Sequence, residues 1–284
     1  AAVPARRPVS GDDAKALLRL RGYIAERWGV VFDDHQSATL KTRLQRRYRE
    51  LGYRSLGEYC GMLFEQGGIE GERDIICDAV TTQTTSFFRE SRHFDFLSEN
   101  YLARGGGDRR FQARPLMAWS AASSIGQEAY TLAMVLAEHS RLHYPLEFEI
   151  LATDISVGAL HQVKDAVYPE QDISKLPSDL RARYFLRGKS DQANKVRVVS
   201  TLRSRVKPRR LNLVMPPYQD IANHFDLIMI RNCLIYFDAE TRLRVVRALS
   251  SHLRQGGLLM TGHSEAFTAD ELGMEIVGPS LYRK

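Results

Sequence analysis

Small side chains and two carboxylates occupy positions at which α/β folds commonly bind ligands. An apolar strand is predicted over residues 116–119, followed by a loop of small residues (120–126) and a helix that begins near Gln127. Such a loop lets the backbone approach a ligand, and the amide dipoles of the helix point at the same place. Asp154 follows a second predicted strand (148–153), where a carboxylate can accept both hydroxyls of a ribose. The spacing therefore predicts a site for a nucleoside-containing cofactor.

The loop differs from the known phosphate-binding motifs. The dinucleotide fingerprint G-x-G-x-x-G requires three glycines and only Gly126 is present, and the Gly-Lys-Ser/Thr ending of a P-loop is absent. Glu128 follows the loop directly and suits a cofactor that carries an ammonium group and no phosphate. S-adenosyl-L-methionine is such a molecule. The alternative that stays open at this point is an ordinary tight turn between a strand and a helix.

Composition limits the class of protein. The chain has 284 residues, 44% of them hydrophobic and 26% charged, which suffices for one large or two smaller domains. It has no apolar run near the ~20 residues of a membrane span and no charged-then-apolar leader, so we expect a soluble protein without membrane insertion. The three cysteines lie in apolar contexts without C-x-x-C spacing. This pattern argues against a metal site or disulfides and favours the cytoplasm.

The positive charge is concentrated in one segment. The net charge is +6, and residues 164–210 contain thirteen Lys and Arg against five Asp and Glu. Basic surface of this kind attracts nucleic acid, anionic membrane or an acidic protein, and charge alone does not choose among them.

Periodicity and turn signals predict five regions. Residues 1–11 are expected to be a disordered segment or an expression remnant, and residues 12–82 a small helical domain. A linker and connecting helix follow over residues 83–110. Residues 111–284 then form an α/β domain. An antiparallel β subdomain is predicted to be inserted at about residues 168–210, which is the basic segment.

Two stretches have alternative interpretations. The second predicted helix (36–51) carries a basic face that is either a solvated surface or a docking surface for acidic partner helices; a DNA-reading helix is less favoured because no helix-turn-helix pattern is evident. The linker TTQTTSFFRE (81–90) supplies hydroxyls, an amide, aromatic rings and a guanidinium. It is either a lid over the cofactor or a polar linker anchored by its phenylalanines.

The C-terminal half completes a doubly wound sheet. A strand is predicted over residues 225–230, then a helix, a strand over 258–261, and a closing hairpin formed by 274–277 and 281–283. Strand-helix alternation that ends in a hairpin is typical of the commonest methyltransferase fold, in which the last strand inserts antiparallel. The fold class predicted is therefore α/β, a Rossmann-like doubly wound sheet of class I S-adenosylmethionine-dependent methyltransferases.

Five segments together carry a family resemblance. TTQTTSFFRE, WSAASSIGQEAYTLAM, ILATDIS, FDLIMIRNCLIYFD and GGLLMTGHSE resemble, in that order, the motifs of the chemotaxis receptor methyltransferases of the CheR type. The resemblance covers the chain from about residue 14 to the end. It implies transfer of a methyl group from S-adenosyl-L-methionine to glutamate side chains of a chemoreceptor's cytoplasmic helical bundle, which gives glutamyl methyl esters and S-adenosyl-L-homocysteine. A receptor C-terminal tail at the β subdomain is a further partner that the resemblance suggests.

The resemblance also assigns roles to residues. Arg89 and Tyr236 would be catalytic and would face the incoming glutamate. Glu128 would hold the ammonium of the cofactor and Asp154 its ribose. The full set of predicted cofactor contacts is Gln83, Thr85, Arg89, Ala121, Glu128, Asp154, Ile155, Asn212, Leu213, Arg231 and Asn232. No metal is expected.

The chain departs from the family pattern at three positions. Gln83 stands where the family usually has Asn, Gln127 where it has Glu, and Ala129 where it has Pro. The loss of one of two adjacent carboxylates would leave ammonium recognition to Glu128 alone, which makes the affinity for the cofactor the property most affected.

The predicted chemistry needs no general base. A glutamate has a reference pKa of ~4.3 and is already anionic at neutral pH. Because the sulfonium donor is already activated, catalysis reduces to in-line positioning and removal of water, which together can supply roughly 7–11 kcal/mol. Arg89 and the Tyr236 hydroxyl can both orient a carboxylate without taking a proton.

Other motifs and functions are less favoured. The His263-Ser264-Glu265 run follows no nucleophile elbow, so we expect it to cap the loop after a strand. Met215-Pro216-Pro217-Tyr218 lacks the Asn or Asp of amino-methylating enzymes. The rival functions are a nucleic-acid or small-molecule methyltransferase and a non-catalytic S-adenosylmethionine-binding adaptor.

Overall fold

The computed structural model describes residues 11–32, 34–103, 110–221 and 224–284. The prediction for residues 1–11 therefore lies, except for Gly11, outside the described residues. The chain divides into two compact units. The first ends at Thr82 and includes Tyr236–Asp238; the second comprises Gln83–Ile235 and Ala239–Lys284.

The described residues of the first unit form four helices, each of which buries apolar side chains. Ser55 caps the third helix by accepting the N–H of Glu58 at 3.1 Å. Buried leucines and isoleucines recur at helical spacing, so each helix turns one face inward. The helices are α1 (Gly11–Trp28), α2 (Asp34–Glu50), α3 (Leu56–Glu65) and α4 (Ile69–Val80).

A partly buried ion pair joins two of these helices. Arg47 of α2 donates to both carboxylate oxygens of Glu72 of α4, at 2.8 and 2.5 Å, and the Tyr59 hydroxyl donates to the same carboxylate at 2.9 Å. The Arg47 hydrogen bonds hold the pKa of Glu72 below its usual value, against the opposing effect of burial. Three hydrogen bonds thus hold the Glu72 carboxylate.

The second unit is built on a seven-stranded sheet of order β6-β2-β1-β7-β8-β10-β9. Strands β6, β2, β1, β7 and β8 are parallel, and β10 runs antiparallel between β8 and β9. The predicted closing hairpin and its antiparallel last strand are confirmed. The strands are β1 (Leu116–Ala121), β2 (Phe148–Asp154), β6 (Val206–Arg210), β7 (Phe225–Ile230), β8 (Leu253–Thr261), β9 (Glu275–Gly278) and β10 (Leu281–Arg283).

Helices cover this sheet. The predicted connecting helix is interrupted: α5 (Arg92–Phe96) continues as a π-helical turn over Leu97–Leu102. Short 3-10 turns lie at Glu170–Ile173, Ser190–Gln192 and Leu234–Tyr236. The remaining helices are α6 (Arg110–Ala113), α7 (Gln127–Leu142), α8 (Val157–Asp165), α9 (Ser178–Tyr184), α10 (Ser200–Arg203), α11 (Ala239–Ser251) and α12 (Ala269–Leu272).

Apolar composition explains the central strands. All six residues of β7 are buried, as expected for a parallel strand covered on both faces. Asp226 is the polar exception, and it has partners: Arg114 donates to both of its carboxylate oxygens at 2.7 and 2.6 Å, and the Met117 N–H donates at 3.0 Å. These bonds join the start of β1 to β7.

The inserted subdomain is smaller than predicted. Its antiparallel sheet has the order β3-β5-β4, with β3 (Val167–Pro169), β4 (Phe185–Arg187) and β5 (Lys195–Val198). The prediction that the insertion extends to residue 210 is wrong, because β6 pairs in parallel with β2 in the main sheet, Arg210 opposite Asp154. Only the first of its five residues is buried, so this charged strand lacks the apolar pattern of a sheet interior.

Candidate active site

The loop after β1 is held against the end of β2 by Asp154. One carboxylate oxygen of Asp154 accepts the Ser124 N–H at 2.8 Å, and the other accepts the Ser156 N–H at 2.9 Å. Asp154 is 8% exposed. A carboxylate at the end of the second strand of such a sheet can accept the hydroxyls of a ribose.

Gly126 serves packing at the back of the loop. Its φ of 93° favours glycine, and a Cβ there would lie 3.0 Å from Cγ2 of Val163 and 3.1 Å from the Tyr168 hydroxyl oxygen. Tyr168 also donates to the carbonyl of Ile125 at 2.7 Å. Glycine at this position therefore allows α8 and the inserted subdomain to pack closely against the loop. It does not serve the approach of a ligand.

Gln127 and Glu128 have different environments, although they are adjacent. Gln127 is 2% exposed and donates from Nε2 to Asp172 of the inserted subdomain at 2.8 Å. An amide can make this bond, whereas the family's usual glutamate would place two carboxylates against each other. Gln127, which stands where the family usually has glutamate, thus has a hydrogen-bond partner within the chain.

Glu128 is a largely buried carboxylate with an incomplete set of partners. Its side chain is 14% exposed. Oε1 accepts the hydroxyl of Ser120 at 2.7 Å, while Nη1 of Arg231 lies 3.4 Å from Oε2, at the long limit of a hydrogen bond. Burial raises the pKa of the Glu128 carboxyl, and Arg231 opposes that rise.

Arg231 is held mainly from the side of the linker. Arg231 directly follows β7, and its side chain is only 1% exposed. Nη2 donates to Glu90 at 3.1 Å and to the carbonyl of Arg89. The ring of Phe94 lies 5.4 Å from the guanidinium carbon. One cation therefore serves two carboxylates, Glu90 and Glu128.

Asn232 completes this cluster. Its side-chain amide donates to Glu90 at 3.1 Å, and its backbone adopts a left-handed φ of 58°. The carboxylate of Glu265, which is fully buried, accepts the N–H groups of Asn232, Gly262 and Ile235 at 2.7–3.1 Å. The prediction that Glu265 caps the loop after a strand is confirmed.

The linker is bound to the same strand ends. Gln83 accepts the Ser124 hydroxyl at 2.6 Å, and the N–H of Phe88 donates to the hydroxyl of Thr131 at 3.1 Å. The guanidinium of Arg89 donates to the carbonyl of Thr84 at 3.0 Å. The predicted residues therefore fall into two bonded groups. Gln83 and Asp154 are joined through Ser124, and Arg89, Glu128 and Asn232 are joined through Arg231 and Glu90. Thr85 lies in the same linker.

The other predicted contacts follow β1, β2 and β6. Ala121 is fully buried at the end of β1. Ile155 accepts from Arg210 through its carbonyl at 3.2 Å. Leu213 is 7% exposed and accepts the Tyr218 hydroxyl through its carbonyl at 2.6 Å; Asn212 accepts the Val214 N–H at 3.3 Å.

Tyr236 belongs to a different unit from the other predicted site residues. It ends the 3-10 turn Leu234–Tyr236 and belongs to the helical unit, where its carbonyl accepts the N–H of Val31 at 3.1 Å. Its action together with Arg89 stays a prediction.

Glu90 was missed at the sequence level. It follows Arg89 in a motif rich in candidates, and only its bonds to Arg231 and Asn232 single it out. Those hydrogen bonds and the charge of Arg231 hold the pKa of Glu90 below its usual value even though burial acts to raise it.

Two histidines lie beside Glu90. Ligand atoms of Glu90, His93 and His263 are within 4.8 Å of one another. Zinc ligands at ~2.0–2.2 Å from the ion lie closer together than this, and both oxygens of Glu90 already accept hydrogen bonds. Burial, followed by the charge of Arg231, lowers the pKa of His93 to about 4, so its imidazole is neutral. The expectation of no metal stays a prediction.

These residues fit S-adenosyl-L-methionine. Its ammonium matches Glu128, whose contact with Arg231 is long at 3.4 Å, and its ribose hydroxyls match the carboxylate of Asp154 at the end of β2. In addition, the hydroxyl oxygen of Ser123, in the loop between them, is buried and has no hydrogen-bond partner among the described residues. Within the described part of the chain, no helix is both long and apolar enough to cross a membrane.

Comparison with known proteins identifies the class. Residues 83–280 match the family described as CheR methyltransferase, SAM binding domain, and residues 15–81 match CheR methyltransferase, all-alpha domain. The second unit has the class I methyltransferase fold, and its cofactor is S-adenosyl-L-methionine. The chain belongs to the CheR methyltransferase family, as the five motifs predict.

Relatives cover most of the chain. Chemotaxis protein methyltransferase 2 of Pseudomonas aeruginosa is 37% identical over 254 residues, which are 89% of this chain and 87% of that protein. The chemotaxis protein methyltransferase of Escherichia coli is 34% identical over 264 residues, 93% of this chain and 88% of that protein. Among solved structures, DszA carbon methyltransferase matches at 15% identity with a TM-score of 0.38, covering 86% of this chain and 50% of that one, a likeness that carries no argument.

Proposed function

We propose that this protein is a cytoplasmic protein-glutamate O-methyltransferase that modifies glutamate side chains of chemoreceptor cytoplasmic helices. The observation that carries the proposal is the match to both CheR domains over residues 15–81 and 83–280. Relatives that bear the name chemotaxis protein methyltransferase support the receptor as substrate. The comparisons give no support to a nucleic-acid substrate or to a non-catalytic adaptor.

The proposed reaction is a single displacement. A glutamate oxygen of the receptor forms a bond to the methyl carbon as the carbon–sulfur bond breaks, which gives the methyl ester and S-adenosyl-L-homocysteine. S-adenosyl-L-methionine supplies the activated methyl group. Because the acceptor is already ionised at neutral pH, no residue of the chain has to remove a proton.

Binding of the donor is the proposed task of the strand ends. Glu128 holds the ammonium, because it is a largely buried carboxylate whose arginine lies 3.4 Å away. Asp154 holds the ribose, because it is a largely buried carboxylate at the end of β2. The linker is hydrogen-bonded to the same loop through Gln83, which supports a proposed role in closing over the donor and excluding water.

Orientation of the acceptor is the proposed task of Arg89 and Tyr236. Arg89 uses one of its five N–H groups on the carbonyl of Thr84, so the others can bind a carboxylate. The Tyr236 hydroxyl adds a neutral donor. Both groups fix the direction of approach without competing for a proton.

Incubation with a methyl-labelled donor and a chemoreceptor cytoplasmic fragment tests the proposal. We expect label on the fragment that is released by mild base, and no label when the candidate glutamates are replaced by alanine. Random RNA and DNA serve as alternative acceptors. Label on nucleic acid, or donor binding without transfer to any receptor fragment, would contradict the proposal.

A further inference from the structure

We propose that Glu90 is a positioning residue that holds Arg231 toward the linker and thereby leaves the charge of Glu128 available to the cofactor ammonium. The inference rests on the proposed role of Glu128. It adds a residue that neither the motifs nor the comparisons assign.

The argument begins with the uneven contacts of Arg231. On one side its Nη2 donates to Glu90 at 3.1 Å and to the carbonyl of Arg89; on the other its Nη1 is 3.4 Å from Glu128. Its Nε is buried without an acceptor among the described residues. The guanidinium is therefore bound more closely to the linker than to Glu128.

The charges of the cluster are unbalanced. Glu90 and Glu128 are both largely buried, with side chains 16% and 14% exposed, and they share the single guanidinium of Arg231. His93 lies beside them but is neutral. Among the described residues, Arg231 is the one cation that hydrogen-bonds to these two carboxylates, so one positive charge is shared by two negative charges. A buried charge is costly unless it is paired. A ligand ammonium beside Glu128 would complete the pairing.

Glu90 is the residue that keeps Arg231 bonded more closely to the linker than to Glu128. Its other oxygen accepts from Asn232 at 3.1 Å, so the carboxylate is fixed between two neighbouring residues at the end of β7. If Glu90 lost its charge, Glu128 would be the only carboxylate left for Arg231. The existing 3.4 Å ion pair would then shorten into a closer charge-assisted hydrogen bond, and the ammonium would have to compete with the guanidinium for Glu128.

Two ligands separate this effect from general damage to the site. S-adenosyl-L-homocysteine carries the ammonium, whereas 5′-methylthioadenosine has the same nucleoside and lacks the amino-acid portion. We expect Glu90→Gln to weaken binding of S-adenosyl-L-homocysteine by about tenfold, the size of one charge-assisted hydrogen bond, and to leave 5′-methylthioadenosine within about twofold of wild type. Calorimetric titration of the whole protein measures both.

Glu138→Gln is the matched control. Glu138 lies on α7, the helix that carries Glu128, and accepts from Arg183, Arg141 and Tyr184 at 2.5–2.7 Å. None of these three partners belongs to the cluster at β7. We expect this variant to bind both ligands as wild type does.

The outcomes distinguish the inference from the function on which it depends. If Glu128→Gln leaves S-adenosyl-L-homocysteine binding unchanged, the role of Glu128 fails, and the inference fails with it. If Glu128→Gln weakens that ligand selectively while Glu90→Gln weakens both ligands equally, or neither, only the inference is overturned.

A second variant keeps the inference testable if Glu90→Gln does not fold. Thermal unfolding establishes whether Glu90→Gln is folded. If it is not, Glu90→Asp replaces it, because its carboxylate is one methylene too short to reach both Arg231 and Asn232. We then expect about a threefold loss for S-adenosyl-L-homocysteine relative to 5′-methylthioadenosine. An unchanged ratio would contradict the inference.

Discussion

Two glutamates, one in each unit, are held by arginine in different ways. Glu72 in the helical unit receives two hydrogen bonds from Arg47 and a third from Tyr59, and its pKa is lowered. Glu128 in the sheet unit receives one from Ser120 and has its arginine at 3.4 Å, and its pKa is raised. A satisfied carboxylate stabilises the fold, whereas an incompletely paired one is a candidate for binding a cation.

Removal of the charge of Glu128 should have the largest effect. We expect Glu128→Gln to weaken S-adenosyl-L-homocysteine binding by about 100-fold, because the ammonium loses its only proposed anionic partner. Unfolding temperature should change little or rise, since a buried charge disappears. Calorimetry and thermal unfolding on the same sample measure both. A large fall in stability with unchanged affinity would make Glu128 a structural residue like Glu72.

Replacement of Tyr236, which belongs to the helical unit, should lower turnover and leave donor binding unchanged. We expect Tyr236→Phe to lower kcat by about tenfold or more, since one oriented donor to the acceptor is lost, while S-adenosyl-L-methionine binding stays close to wild type. Single-turnover methyl transfer and calorimetry provide the two numbers. Equal losses in both would contradict a role confined to the acceptor.

Glu72 should affect stability and not binding. We expect Glu72→Gln to lower the free energy of unfolding by about 2 kcal/mol at pH 7, because Arg47 loses its charged partner. Since the folded pKa of Glu72 is lowered, its contribution is fully present above the unfolded value of ~4.3 and is lost as the pH falls through the folded value. Urea unfolding of both proteins at pH 7 and in acid measures this. A stability difference that persists below the folded pKa would refute the assignment.

Gln127 should show the smallest effect. Gln127→Glu restores the residue usual in the family but places a second carboxylate beside Asp172. We expect a loss of about 1 kcal/mol in stability and at most about a twofold change in cofactor affinity. Tighter cofactor binding would show that residue 127 contributes to ammonium recognition after all.

The sequence predicts the parts of the site that follow from strand ends. Asp154 and the loop at residues 120–126 are recognisable because the carboxyl ends of parallel strands meet at one edge. The hydrogen-bond partner of Gln127 could not be predicted from the sequence, because Asp172 lies 45 residues away in the insertion; the effect of Gln127 on cofactor affinity stays a prediction. The strand Val206–Arg210 was missed for a related reason, since an edge strand with one buried residue has no apolar pattern.

Glu90 illustrates what sequence reasoning lacks. Its role depends on two residues more than 140 positions away, and on the distance by which Arg231 stands off from Glu128. Periodicity and motifs give the order of elements along the chain, but not how one guanidinium divides its hydrogen bonds between two carboxylates.

A crystal structure of the protein with S-adenosyl-L-homocysteine tests the central claim most directly. The account predicts the ligand ammonium within hydrogen-bonding distance of Glu128 and the ribose hydroxyls on Asp154, with Arg231 still bonded to Glu90. An ammonium bound elsewhere, with Arg231 moved onto Glu128, would contradict it.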